Sequence, residues 1–65
     1  MLIFAKIGTG PQQSVRLKNR RTLPKHGEVV KFKSSIKDNR WENWKEARVD
    51  DIKDLGYSLF YLSMR

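Results

Sequence analysis

Cysteine is absent from the 65 residues, and histidine occurs once, at His26. The first absence excludes disulfide staples and thiolate zinc sites. The second leaves His26 without another histidine to share a metal. A chain this short buries only about 60% of the surface that its unfolded form exposes, so without staples it depends on a small apolar core. Lack of cysteine also suits a reducing compartment. Long hydrophobic runs are missing too: nothing nears the roughly 18 apolar residues of a membrane span. The opening "MLIFAKIG" has no basic segment ahead of its short apolar run, unlike a signal peptide. These absences predict one soluble, cytoplasmic domain over residues 1–65, with no membrane partner, no metal and no cofactor.

Carboxylates are scarce as well. Seven Asp and Glu stand against fourteen Lys and Arg, which gives +7 and a pI near 10.2. Residues 1–40 hold ten basic groups against Glu28 and Asp38, a balance of +8, whereas residues 41–65 hold four against five, or −1. A field this one-sided attracts polyanions and speeds their association. Solubility alone is the plainer account of net charge, but clustering at this pI favours a nucleic-acid surface.

The inventory for catalysis is thin. A nucleophile needs a base within hydrogen-bond reach and a group that orients the base. His26 lies between Lys25 and Gly27 in a segment that reads as a loop, so no enzymatic activity is expected. Asp50, Asp51 and Asp54 lack the spacing of a calcium loop, and acidic groups suit the N-terminus of a short helix after residue 49. "GTG" at 8–10 is too short to be a phosphate loop.

What is present alternates. Residues 2–7 place Ile3, Ala5 and Ile7 on one side, and "SVRLKNR" (14–20) places Val15 and Leu17 opposite Arg16, Lys18 and Arg20. The breaker cluster "GTGP" between them predicts a hairpin with a loop of about six residues. "EVVKFKS" (28–34) sets Val30 and Phe32 against Lys31 and Lys33, with Val29 on the lysine side. "YSLFYLSM" (57–64) has apolar groups on both faces and reads as a closing strand covered on both sides. Two readings stay open for 40–56. A helix collects Trp41, Trp44, Ile52 and Leu55 on one side, with Gly56 as its stop. A strand over "WKEARV" puts Lys45, Ala47 and Val49 on one face, followed by a helical turn at "DIKDLG", and avoids placing Arg48 in an apolar stripe. We favour the strand.

"GEVVKF", a polar loop with Asp38, "WKEARVDDI" and "GYSLFYL" together resemble small SH3-like barrels of the Tudor type and the C-terminal DNA-binding domain of retroviral integrases, over residues 27–62. The resemblance implies a mainly β fold, a five-stranded SH3-like barrel with one short helical turn; the alternative is α+β, an antiparallel sheet with one helix at 40–55. It also implies that Trp44 begins a strand in which Ala47 and Val49 point inward. Lys45 stands where methyl-binding Tudor domains carry a further aromatic, so a cationic ligand would meet like charge instead of an aromatic cage. "LPKHGEVVKF" resembles a run in small phage-encoded proteins of no known activity, which adds inhibitors of host proteins to the classes in view.

Pairing 14–20 with 28–34 predicts one outer face carrying Arg16, Lys18, Arg20, Lys31 and Lys33, extended by Arg21. Lys37, Arg40 and Trp41 would lie in the neighbouring loop. Such a face can track a phosphate backbone; the plainer account is an edge guarded by lysines. Trp44 is expected in the core, where a large ring supplies burial. Trp41 either stacks on a base or folds over the barrel mouth. The expected function is non-catalytic binding of DNA or RNA with low sequence specificity. The alternative is a protein-interaction module, such as a phage-type inhibitor whose basic face meets an acidic host protein.

Overall fold

Apolar alternation sets the strands. In the computed structural model, which describes residues 1–34 and 43–64, they are β1 (Leu2–Ile7), β2 (Gln12–Leu17), β3 (Val29–Ser34), β4 (Lys45–Asp54) and β5 (Ser58–Met64). They close into one barrel in chain order, and β5 returns to β1. Chain neighbours pair antiparallel, while β1 and β5 pair parallel, Phe4 with Leu59 through Ile7 with Leu62. The parallel seam follows from the strand number. Five strands running up and down leave the first and last pointing the same way. Closure also removes the open edges that a small sheet would otherwise expose.

Inside lie Ile3 and Ala5, Val15 and Leu17, Val30 and Phe32, Ala47 and Val49, and Phe60 and Leu62, a pair from each strand. Ala5 and Ala47 are fully buried, and such small residues make room for the phenylalanine rings in a narrow barrel. On β5 the expectation of cover on both sides holds. Leu59 points away from the core cluster, beside its register partner Phe4, and is nevertheless buried.

Several expected boundaries change. The β1–β2 connection is the four residues 8–11, not six, and Gly8 takes a left-handed φ of 58°. The second strand stops at Leu17 instead of 20, because Asn19 turns the chain with φ 47°. Asparagine is among the few residues that tolerate this region. Neither a helix nor a helical turn occurs among the described residues of 40–56, so none there is long and apolar enough to cross a membrane.

β4 instead runs ten residues, broken by a bulge between Val49 and Asp51. The extra residue changes the phase of alternation, so that Ile52 pairs with Phe60 as Val49 does with Leu62, although Ile52 itself is exposed and outside the core cluster. The acidic groups read as helix-favouring serve this irregularity. Asp50 accepts hydrogen bonds from Ser63 Oγ and from Arg48 Nε, Asp51 from the Ile52 amide, and Asp54 from the Gly56 amide. Gly56, expected to stop a helix, sits in the tight β4–β5 hairpin loop with φ 85°.

Phe60→Ala should cost about 3–5 kcal/mol through lost burial and the cavity left behind, which is most of the stability of a domain this small. Thermal melting by circular dichroism should show no cooperative transition at 25 °C or above; a Tm close to wild type would contradict a core centred on this ring.

Candidate nucleic-acid interface

The β2–β3 register sets Arg16 opposite Lys33, and the Lys18 amide donates to the Lys31 carbonyl at 2.9 Å. Because Val15, Leu17, Val30 and Phe32 point inward, Arg16, Lys18, Lys31 and Lys33 share the outer side. The first three are exposed and Lys33 is half-buried. Across the next seam Lys31 meets Glu46, the one carboxylate on the outer side of this part of the barrel among the described residues.

Trp44 departs from the expected core position. Ala47 and Val49 are inward on β4, so the alternate positions 44, 46 and 48 face out. Trp44 lies just ahead of the strand, half-buried and outside the core cluster. Lys33 Nζ stands 4.6 Å from its ring centroid and Lys18 Nζ 5.9 Å. A lysine over an exposed ring is worth about 0.5–1 kcal/mol. These contacts hold the indole against the outside of the barrel, in line with the basic row.

Arg20 leaves the face on which alternation had placed it. Beyond the turn at Asn19 its Nη2 donates to Glu28 Oε2 at 2.7 Å and its Nε to the Thr22 carbonyl at 3.1 Å. Glu28 also accepts from the Lys25 amide at 3.0 Å. That backbone hydrogen bond, and then the Arg20 guanidinium, hold the Glu28 carboxyl below its ordinary range. Arg20 thus fastens the 18–28 connection, and Arg21 beside it is exposed. Lys37, Arg40 and Trp41 lie outside the described residues.

A second ring with two cations was not anticipated. Tyr61, on the outside of β5, has Lys53 Nζ 5.0 Å and Lys6 Nζ 5.8 Å from its centroid. Its register partner on β4 is Asp51. The parallel β1–β5 seam brings Lys6 to Tyr61, and no local sequence pattern signals that pairing. Comparison of the chain with protein-family models, with curated proteins and with solved structures found no match.

Two outcomes follow from these placements. Trp44→Ala should cost about 1–2 kcal/mol, in proportion to a half-exposed ring, well short of Phe60→Ala; equal losses in denaturant melts would return Trp44 to the core. For Glu28 the folded carboxyl titrates below the unfolded one, so its contribution is present above the unfolded carboxylate range and disappears as pH falls through the folded value. Glu28→Gln should therefore lower Tm at neutral pH, and the gap should close under acid. A gap independent of pH would exclude the ionised carboxylate as its source.

Proposed function

We propose that the protein is a non-catalytic nucleic-acid-binding module that holds the phosphate backbone on the outer face of β2 and β3. The observation that carries this reading is the gathering of Arg16, Lys18, Lys31 and Lys33 on one side of a single strand pair, beside a tryptophan. Four cations on adjacent strands repel one another, and edge protection does not require them once the barrel is closed. Phosphates relieve that repulsion and release their counterions. Phosphate contacts position a ligand without reading its sequence, so low specificity follows. Arg20 has a smaller part in this scheme than Arg21, since Glu28 already engages it.

A methylated-lysine ligand fits poorly, because two ammonium groups already stand at the Trp44 ring. An acidic protein would be drawn by the same charges, and no separate observation favours it. For the SH3-like resemblance, support comes from the inward Ala47 and Val49 and from Trp44 just ahead of β4; the missing helical turn weighs against it.

Arg16→Glu with Lys31→Glu tests the face without touching the Trp44 ring. The double variant should fold normally, since exposed substitutions change stability by about 0.5 kcal/mol or less. It should bind a duplex probe far more weakly. For wild type, log affinity should fall with log salt at a slope of about −3 to −4 if four phosphates are met, and the double variant should flatten it by about two units. Lys53→Glu, beside Tyr61, is the control. An equal loss from Lys53→Glu would mean that net charge alone governs binding.

A further inference from the structure

We infer that the nucleic acid taken by this face is single-stranded, with an unpaired base stacked on the Trp44 indole. The inference rests on the phosphate-binding reading above and narrows it to one ligand class. Trp44 continues the row of Arg16 and Lys33 across the barrel. Neighbouring strands lie about 4.8 Å apart, so guanidinium, ammonium and ring follow one another in a line over three strands. The indole is packed on the outside, where Lys33 and Lys18 approach its centroid at 4.6 and 5.9 Å.

A duplex gives such a ring nothing to do. Its bases are already paired and stacked, and a convex barrel wall reaches only the phosphates. A single strand offers a free π-face for every base, and the two lysines that leave the ring can meet the flanking phosphates. Rings on a basic groove are the usual platform for unpaired bases, and they tolerate any sequence. Charge alone predicts the opposite preference, because each phosphate neutralised releases more counterion from duplex DNA than from a single strand, about 0.9 against 0.7. A preference for single strands would therefore report the ring and not the charges. Tyr61 carries a similar pair of lysines but has Asp51 itself as its register partner, whereas Glu46, on the side of β4 that Trp44 shares, has Lys31 as its register partner. Trp44 is the better platform.

The test is polarisation binding of an oligothymidine and a blunt duplex of equal length at the same low salt, with each variant checked for a cooperative melt. Wild type should prefer the oligothymidine. Trp44→Ala should lose about 5- to 100-fold on the single strand and little on the duplex, and Trp44→Phe should retain most of the affinity. A Trp41→Phe protein leaves Trp44 as the single tryptophan, and oligothymidine but not duplex should quench its fluorescence. That measurement decides the matter if Trp44→Ala fails to fold. Duplex bound as tightly as oligothymidine, with Trp44 fluorescence unquenched, would overturn the inference and leave phosphate binding standing. Binding of neither probe would remove both.

Discussion

A short chain that folds on apolar burial alone cannot leave a sheet half covered, so the pairing of Phe4–Ile7 with Leu59–Leu62 governs the rest of this structure. Without that parallel seam, β1 and β5 would be free edges and the paired inner residues of five strands would enclose nothing. With it, Val15, Ala5 and Val49 are removed from water entirely. The seam joins strands separated by most of the chain, so its closure entropy must be offset by the core it completes.

Closure also decides what is left for the outside. Ten inward positions fill the barrel, and two phenylalanines with small partners take up its width. An indole in the same space would overpack it. Trp44 is therefore accommodated outside, with lysine stems and ammonium groups lying against its ring. Similar logic places Tyr61 and Leu59 on the outer side of β5. The bulge at Asp50 contributes by letting a ten-residue strand bend with the wall, and Asp50 accepts hydrogen bonds from Arg48 and Ser63 where regular pairing is interrupted.

Much of this was legible from alternation. Strands at 2–7 and 28–34 and the closing strand at 57–64 agree with β1, β3 and β5 to within a residue, because each keeps one phase from end to end. The sequence reading fails where phase is lost. A left-handed Asn19 ends β2 early, and the bulge disguises "DIKDLG" (51–56) as a helical turn although its first four residues continue a strand. At the candidate site, the common side of Arg16, Lys18, Lys31 and Lys33 follows from parity alone. So does the outward side of Trp44, since Ala47 and Val49 are the inward pair. The expectation of a core tryptophan gave more weight to bulk than to parity. Arg20 could not be foreseen, because Glu28 reaches it only through the fold of the intervening connection.

The energies at Trp44 show why a ring held by lysines can still serve a ligand. Each ammonium contact at an exposed ring is worth about 0.5–1 kcal/mol, while a stacked base contributes about 1–3 kcal/mol. Losing both lysine contacts would cost about 1–2 kcal/mol, comparable with the stacking gained, so the proposed exchange depends on the phosphates that the released ammonium groups would meet. Displaced ammonium groups are not stranded, because Lys18 and Lys33 remain beside Arg16 and Lys31, where a backbone held by the base would pass. In the proposed complex both contributions would act together, with the ring releasing cations as the phosphates arrive to meet them. Without a ligand, the same lysines cover an indole that lies on the outside of the barrel, and in the proposed complex those contacts would give way to a strand.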